Sequence, residues 1–202
     1  MRKIWDEQYA LRPAFWKGPY NITPITQRLA QGACVLDIGC GVGRYLVPLV
    51  RNGCRVVGAD ISRQALTLLD SNYSRVVADI QQLPFPNHSF DAITCYGVLQ
   101  HLERAGREKA AAELFRVLKR KGVTFVEVIG QLDMRYNSGK RIAADTFVRG
   151  EIPTYHFSSS KLRELFHLAG FYMLNVDEKV TKKQYKGEIR KGHHIFMVMG
   201  KP

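Results

Sequence analysis

A glycine-rich turn between an apolar run and a helical segment is the feature that most restricts how this chain can fold. The stretch VLDIGCGVGRYL (35–46) places Gly39, Gly41 and Gly43 directly after the apolar run CVLDI (34–38), which is typical of a buried strand. Glycine lets backbone N–H groups approach a ligand, and the first turn of the following helix adds positive potential. The stretch therefore predicts a nucleotide or anion site at the carboxyl end of a strand.

Strand-like and helix-like segments alternate through the next 90 or so residues. Four further apolar runs have the length of buried strands: RVVGAD (55–60), RVVAD (75–79), FDAITCYG (90–97) and VTFVEVI (123–129). Apolar residues recur at helical spacing in four segments. The first begins at Gly43, the second follows Ser62, and the others are Glu103–Arg120 and Ser158–Ala169. Because strands linked by helices form right-handed crossovers, this order predicts an α/β fold with a mostly parallel sheet and helices on both faces.

The two ends of the chain do not follow this alternation. The runs FYMLNV (171–176) and HIFMVMG (194–200) are joined by a charged connector, which predicts a C-terminal antiparallel hairpin and a total of seven strands. Residues 1–30 are aromatic-rich and irregular, and we expect them to form an N-terminal cover. Residues 130–157 are basic and aromatic without a clear period, and we expect a substrate-side insert there.

Positive charge is concentrated in the second half of the chain. The formal net charge is +12, and residues 101–202 contain 20 Lys+Arg against 11 Asp+Glu, compared with 10 against 7 in residues 1–100. A basic half of this kind favours a polyanionic partner, nucleic acid above all. The alternative is a basic surface that is simply solvated.

The cysteines and the hydropathy pattern indicate in which cellular compartment we expect the protein. None of the four cysteines forms a Cys-x-x-Cys pair, so we expect no metal site and buried, reduced thiols in a cytoplasmic protein. No apolar run approaches the ~20 residues that a membrane-spanning helix needs. The N-terminus lacks the apolar centre of a secretory leader. We therefore expect no membrane association.

Acidic side chains after three neighbouring strands indicate which ligand the glycine turn holds. Asp37 stands just before the glycines, where it would repel a pyrophosphate and attract an ammonium group. Asp60 could accept hydrogen bonds from both hydroxyls of a ribose, and Asp79 could accept one from an adenine amine. Arg44 occupies the sixth place of the turn, where the dinucleotide fingerprint needs a small residue. Ammonium, ribose and adenine without phosphate are the parts of S-adenosylmethionine.

Residues 34–129 resemble the class I S-adenosylmethionine-dependent methyltransferases, in the branch known as methyltransferase domain 11. The resemblance rests on VLDIGCGVG, VVGADIS, VVADIQQLPFPNHSFDAITCYGVLQHL and ELFRVLKRKGVTFVEV, in the family's order and spacing. It implies a Rossmann-like fold, S-adenosylmethionine as cofactor, and a single methyltransferase domain over residues 1–202. One departure is LKRKGV, where the family usually has Leu-x-Pro-Gly-Gly.

The resemblance also implies roles for individual residues. Cofactor-binding positions would be Asp37, Gly39, Cys40, Gly41, Asp60, Ile61, Asp79, Ile80 and Cys95. Tyr96, after the fourth strand, would lie near the reacting methyl group and is a candidate catalytic residue. Tyr9, from the N-terminal cover, could close over the cofactor, because an aromatic face attracts a sulfonium cation.

Histidine is the residue type most often used as a general base, and a base is needed only if the acceptor must lose a proton. His101, just beyond the fourth strand, is the candidate on position, with a packing role as the alternative. We expect His193 and His194 to be hairpin or surface residues.

The Asn/Asp-Pro-Pro-Tyr/Phe motif of base amino-group methylation is absent. Cys95 lacks the Pro-Cys context or the second motif cysteine of a pyrimidine nucleophile.

Basic and aromatic side chains outside the sheet are the candidates for substrate binding, because they can bind phosphates and stack on bases. The candidates are Trp16, Arg135, Tyr136, Lys140, Arg141, His156 and Lys183. The ending YHFSSSKLRELFHLAGF and the basic tail resemble the tRNA wobble-uridine methyltransferases, though weakly. Some members of that branch work with a small activator subunit, so such a partner is expected here too.

RNA, specifically tRNA, is thus the leading substrate class. A small-molecule methyltransferase is the main alternative, because the domain 11 branch contains many. A non-catalytic S-adenosylmethionine-binding regulator and a nicotinamide-dependent oxidoreductase are the remaining alternatives, and Asp37 with Arg44 argues against the last.

Overall fold

The computed structural model describes residues 1–12, 21–185 and 188–202, and a seven-stranded sheet forms its centre. The strands of this sheet are β1 (Cys34–Ile38), β2 (Arg55–Asp60), β3 (Arg75–Val77), β4 (Phe90–Tyr96), β5 (Leu118–Ile129), β9 (Tyr172–Tyr185) and β10 (Glu188–Gly200). Their order is β3-β2-β1-β4-β5-β10-β9. The first five are parallel, and β10 is antiparallel to both β5 and β9, so the predicted sheet is confirmed.

Helices cover both faces of the sheet. They are α1 (Arg2–Leu11), α2 (Thr23–Thr26), α3 (Leu46–Arg51), α4 (Arg63–Thr67), α5 (Arg104–Val117) and α6 (Ser159–Leu168), with a single 3₁₀ turn at Leu99–His101. Successive β1 residues point to opposite faces: Val35 packs in a cluster with α2, α3 and α4, whereas Leu36 packs with α5 and α6. Ser62 and Ser158 cap α4 and α6 as the sequence predicts.

The junction of α5 and β5 differs from the prediction. We predict a helix to Arg120 and a strand from residue 123, but α5 ends at Val117 and β5 begins at once with Leu118, which pairs with Phe90. Lys201 explains the early end, because its buried Nζ donates to the carbonyl oxygens of Phe115 and Leu118 at 2.5 and 2.8 Å. A distant side chain thus satisfies the last carbonyls of the helix.

Residues 130–157 contain regular structure that the sequence pattern does not indicate. Three strands, β6 (Lys140–Ala143), β7 (Thr146–Arg149) and β8 (Ile152–Tyr155), form a small antiparallel sheet of their own. Each has four residues, too few for a period-two pattern to stand out. Asp145 and Gly150, with φ of 55° and 63°, provide the tight turns between them.

The C-terminal hairpin is longer than predicted, because β9 and β10 continue through most of the charged connector. The last pairing of β10 with β5 joins His194 to Ile129, at the carboxyl end of β5. Residues 188–193 and their β9 partners therefore project about 20 Å beyond that edge, at about 3.3 Å per residue. We call residues 179–185 and 188–193 the hairpin arm.

The N-terminal segment is also more regular than predicted, since α1 occupies residues that we expect to be irregular. Predicted strands β1 and β2 have the bounds read from the sequence, whereas α3 begins at Leu46 and not at Gly43. In the part of the chain that the structure describes, no helix has the length and apolar character required to span a bilayer.

Candidate active site

The carboxyl ends of β1, β2, β4 and β5 border a cavity of about 370 Å³. It lies where β1 has β2 on one side and β4 on the other, which is the point at which α/β sheets open a crevice. Twelve of the residues proposed from the sequence line it: Tyr9, Asp37, Gly39, Cys40, Gly41, Asp60, Ile61, Asp79, Ile80, Tyr96, His101 and Arg135. The fold thus brings most of the candidate site together.

The glycine turn has no room for side chains at two positions. Gly39 and Gly41 have φ of 68° and 52°, a region that L-residues with a Cβ rarely adopt. A Cβ on Gly39 would meet Cγ2 of Val98, and one on Gly41 would come within 2.5 Å of the Tyr9 hydroxyl. Gly39 also donates its N–H to the Ala59 carbonyl oxygen at 2.7 Å, which ties the turn to β2.

Asp37 places a buried carboxylate in the cavity wall. Its side chain is 2% exposed, and Oδ1 accepts a hydrogen bond from the Thr94 hydroxyl at 2.6 Å. Oδ2 is buried and has no hydrogen-bond partner among the described residues. Burial raises the pKa of Asp37 to about 7. A buried carboxylate that lines a cavity and has no cationic partner in the described part of the chain fits a ligand that brings a positive charge, such as an ammonium group.

Asp60 links the end of β2 to the glycine turn. Oδ2 accepts the Gly41 N–H at 2.9 Å, and Oδ1 accepts the Ser62 N–H at 2.8 Å. Burial raises its pKa. Each carboxylate oxygen has a second lone pair, so both can still accept a hydroxyl of a ribose. Asp79, at the next strand end, accepts the Gln81 N–H at 2.9 Å and borders the same cavity.

Helix α1 lies against the cavity and contributes Met1, Trp5 and Tyr9 to its lining. Asp6 fastens this helix to the first turn of α4, because its Oδ1 accepts the Ser62 hydroxyl at 2.7 Å and the Gln64 N–H at 3.0 Å. The N-terminal segment therefore lies over the predicted cofactor position, at the cavity end near Asp60.

Tyr96 and His101 border the part of the cavity beyond β4. Burial raises the pKa of Tyr96, so its hydroxyl stays protonated. His101 Nδ1 is 2.9 Å from the Pro153 carbonyl oxygen, which assigns the proton to Nδ1. Burial lowers the pKa of His101 to about 4. Trp5 packs on the ring edge-on, with centroids 5.0 Å apart.

A pair of polar cavity residues is among those that the sequence reasoning missed. Glu127, on β5, and His194, on β10, both line the cavity, and His194 Nδ1 is 2.6 Å from Glu127 Oε1. The sequence predicts a hairpin or surface position for His194, and the residue does lie in the hairpin, but it also lines the cavity. Its position follows from the pairing of β10 with β5, which places His194 opposite Ile129 at the cavity edge. No local sequence signal reveals that register.

Five of the predicted site residues lie elsewhere. Cys95 is fully buried in the core and does not line the cavity, because alternate β4 residues point to opposite faces. Tyr136 and His156 pack on Phe147 within the small sheet, with His156 completely buried. Lys140 and Arg141 lie exposed on β6, away from the cavity lining. Trp16 and the side chain of Lys183 lie outside the described residues.

The lining is suited to a nucleoside that carries an ammonium group and no phosphate. Asp37 offers a charge-complementary oxygen, Asp60 offers acceptors for a diol, and Ile61 and Ile80 are apolar side chains suited to pack on a base. A phosphate would meet the Asp37 carboxylate at the glycine turn, which costs energy in a buried site. These features fit S-adenosylmethionine.

Comparison with known proteins agrees with this chemistry. Residues 36–126 match the family model described as a methyltransferase domain. The tRNA N(3)-cytidine methyltransferase METTL2 of Danio rerio is 31% identical over 173 residues, 75% of this chain and 49% of that protein. The tRNA (carboxymethyluridine(34)-5-O)-methyltransferase of Arabidopsis thaliana is 34% identical over 116 residues, 56% of this chain and 28% of that protein. The chain spans at most about half the length of such curated relatives.

Solved structures show the same architecture. An S-adenosylmethionine-dependent methyltransferase of Methanosarcina mazei superposes with a TM-score of 0.76 at 24% identity, covering 90% of this chain and 97% of the other. The 1,6-didemethyltoxoflavin-N1-methyltransferase of Burkholderia thailandensis, solved with S-adenosylhomocysteine, gives a TM-score of 0.73 at 19% identity, covering 99% and 86%. These likenesses show the fold, and the family match identifies residues 36–126 as a methyltransferase domain, whose cofactor is S-adenosylmethionine.

Proposed function

We propose that this chain methylates RNA, and specifically tRNA. The observation that carries the proposal is the hairpin arm, a basic projection that starts at the cavity edge. A small metabolite needs no such projection, whereas a polynucleotide whose reacting base enters the cavity has phosphates on either side to be held.

Strand pairing places basic residues of the arm on the cavity side. Lys179 pairs directly with His194, and directly paired residues have their side chains on the same face of a sheet. Because His194 lines the cavity, the exposed side chain of Lys179 lies on the face that leads from it. Arg190, four residues before His194 on the same strand, has the same orientation.

The opposite face of the arm carries a pair of like charges. Lys182 and Lys191 are directly opposite each other across the antiparallel strands, and both are exposed. Like charges in this arrangement destabilise a hairpin. Bound phosphates would remove that penalty, so the pair favours a polyanionic ligand over a surface that is only solvated.

The relatives support the same substrate class. The METTL2 proteins and the Arabidopsis enzyme carry tRNA substrates in their names. Another relative, O-methyltransferase 3 of Dictyostelium discoideum, is 30% identical over 174 residues, 76% of this chain and 40% of that protein, and its name gives no RNA substrate. The tRNA assignment therefore depends on the arm together with the relatives.

Different cavity residues would bind different parts of the cofactor and the acceptor. When bound, S-adenosylmethionine supplies a methyl carbon made electrophilic by a positively charged sulfur. Asp37 would hold the ammonium group, Asp60 the ribose, and Asp79 the adenine amine, with Ile61 and Ile80 packing on the ring. Tyr96, protonated, would orient the acceptor. Alignment of acceptor and methyl group can supply about 7–11 kcal/mol of the barrier.

The substrate class can be tested by methyl transfer from tritiated S-adenosylmethionine. The acceptors are total RNA and a metabolite extract, both from cells in which the gene has been deleted. We expect label in the tRNA fraction, and base-resolved mapping then identifies the nucleotide. Label confined to metabolites would overturn the RNA proposal.

Reversing the paired lysines of the arm tests its role. Lys182→Glu with Lys191→Glu keeps like charges opposite each other, so hairpin stability should be nearly unchanged while phosphate attraction becomes repulsion. We expect the KM for RNA to rise at least about tenfold, and the slope of log affinity against log salt to decrease by about two. Steady-state kinetics and binding at several salt concentrations measure both.

The matched control is Arg28→Glu with Arg120→Glu. These exposed residues lie before β1 and at the start of β5, on the opposite edge of the sheet, and the change in net charge is the same. An equal loss in both double variants would show that only net charge matters and would contradict a role for the arm.

A small-molecule acceptor is the second candidate function, and the cavity itself favours it. Its volume of about 370 Å³ lies within the range of small-ligand sites, and α1 covers it with Trp5 and Tyr9. The transfer experiment with the metabolite extract decides between the two candidates. The activator subunit and the cytoplasmic location stay predictions, because neither the cavity nor the arm bears on them.

A further inference from the structure

Glu127 and His194 form a hydrogen-bonded pair that is not among the predicted cofactor contacts. Glu127 Oε1 and His194 Nδ1 are 2.6 Å apart, and their side chains are 18% and 35% exposed. Glu127 is paired in register with Tyr96 on β4, the strand whose end lies near the predicted methyl position. The pair therefore lies on the acceptor side of the cavity, away from Asp60 at the end of β2 and from Asp79, which follows β3.

The neighbouring histidine shows what a structural role looks like in this hairpin. His193 is 3% exposed, its Nδ1 accepts the Leu132 N–H at 3.0 Å, and its Nε2 donates to Glu178 at 3.1 Å. Both ring nitrogens of His193 are occupied by the fold. In His194, Nδ1 donates to Glu127, which leaves Nε2 as the nitrogen with a lone pair.

His101, the base candidate from the sequence, is less suited to accept a proton. Burial lowers its pKa to about 4, and its Nδ1 donates to a neutral carbonyl oxygen of Pro153. Among the described residues, no carboxylate forms a hydrogen bond or ion pair with its ring. His194 has a carboxylate partner in Glu127, the arrangement by which a histidine base is oriented.

We propose that His194 is the general base of the methyl transfer and that Glu127 is its positioning residue. This inference rests on the proposed methyltransferase function. His194 Nε2 takes the proton from an O–H or N–H of the acceptor, while the freed electron pair forms the bond to the methyl carbon. The carbon–sulfur bond breaks and its pair stays on sulfur, giving a neutral thioether. The imidazolium is balanced by the Glu127 carboxylate and releases its proton to water.

The proposal also restricts the acceptor. A carboxylate or a ring nitrogen with a free lone pair attacks a methyl group without losing a proton, and it needs no base. A histidine–carboxylate pair beside the acceptor position is useful when the reacting atom carries a proton. The acceptor class is therefore a hydroxyl or an N–H group.

The test compares His194→Ala with the wild-type chain, using whichever fraction, tRNA or metabolite, the wild type labels. We expect kcat to fall at least about 100-fold with a much smaller change in KM, because a positioned base contributes about 10²–10⁴-fold. Added imidazole should restore part of the rate by filling the space that the side chain leaves. His167→Gln, at an exposed histidine on α6, is the control and should keep wild-type kinetics.

Glu127 is tested by Glu127→Gln and Glu127→Asp. The amide of Gln can accept the Nδ1–H but cannot balance an imidazolium, so we expect kcat to fall about tenfold or more while KM changes little. Asp, which keeps the charge, should recover part of that loss. Calorimetry with S-adenosylhomocysteine should give wild-type affinity for all these variants, because the pair lies outside the cofactor contacts.

The outcomes separate this inference from the proposed function. A wild-type rate in His194→Ala overturns the base assignment and leaves the methyltransferase function standing. Joint loss of rate and S-adenosylhomocysteine binding without imidazole rescue also overturns it, since that shows a structural role. Label in metabolites alone overturns the RNA proposal while the same variants still test the base. No transfer to either fraction by the wild type overturns both.

Discussion

Asp37→Asn is expected to weaken binding of S-adenosylmethionine by about 100-fold or more. The amide keeps the shape and can still accept the Thr94 hydroxyl, but it removes the charge opposite the ammonium group. Losing one partner of a buried ion pair typically costs about 3–5 kcal/mol, and each 1.4 kcal/mol is about tenfold in affinity. Calorimetry measures the dissociation constant directly, with Asp70→Asn, at an exposed aspartate, as the control.

The same assignment predicts in which direction the affinity for the cofactor changes with pH. Because burial raises the pKa of Asp37 to about 7, the carboxylate of the free chain becomes protonated as the pH falls through neutrality. Affinity should therefore decrease about tenfold per pH unit below pH 7, and Asp37→Asn should abolish this dependence. An affinity for Asp37→Asn within threefold of wild type would contradict the ammonium assignment.

The stability of the free chain should change in the opposite direction. The pKa of Asp37 is higher in the folded state than its ordinary value of 3.8, so its contribution to stability is full at acid pH and is lost as the pH rises through 7. At pH 8 the Asp37→Asn chain should unfold at the same temperature as wild type or higher, despite binding the cofactor poorly. A thermal melt without ligand checks this, and it separates loss of binding from loss of fold.

Gly39→Ala is expected to have the second large effect. The new methyl group requires a positive φ and also meets Cγ2 of Val98. Left-handed backbone costs about 1–3 kcal/mol for a residue with a Cβ, and overpacking adds about 1–3 kcal/mol. We expect the free energy of unfolding to decrease by the sum and cofactor affinity to fall, as measured by denaturant titration and calorimetry.

The chain offers a matched control for the backbone part of this cost. Gly32 has φ of 75°, and a Cβ there would meet nothing within 4 Å. Gly32→Ala should therefore show the conformational cost alone and leave cofactor binding intact. Adding Val98→Ala to Gly39→Ala should recover the steric part. Equal losses in the two glycine variants would show that close packing of the turn is unimportant.

The part of the site that sequence predicts well is the part built from local signals. Apolar runs bounded by turn residues give the strands, and the last residue of each run, such as Asp60, reaches the cavity because parallel strands end at one edge. Asp37 and the glycines can be read in the same way, since they precede or form the turn itself.

The remaining residues depend on contacts that are distant in sequence. His194 reaches the cavity only because β10 pairs with β5 in one register, and a shift by one residue would turn it to the other face. Cys95 shows the converse, because a position next to Tyr96 places it in the core. The early end of α5 is set by Lys201, 84 residues after Val117.

The fastening of α1 by Asp6 has a kinetic consequence. Ser62 donates its hydroxyl proton to Asp6, and the Ser62 N–H is held by Asp60, the predicted ribose ligand. Lifting α1 from the cavity breaks both hydrogen bonds of Asp6 and exposes the first turn of α4. We therefore expect the lifetime of a bound nucleoside, and with it the release of spent S-adenosylhomocysteine, to depend on how often the N-terminal helix opens.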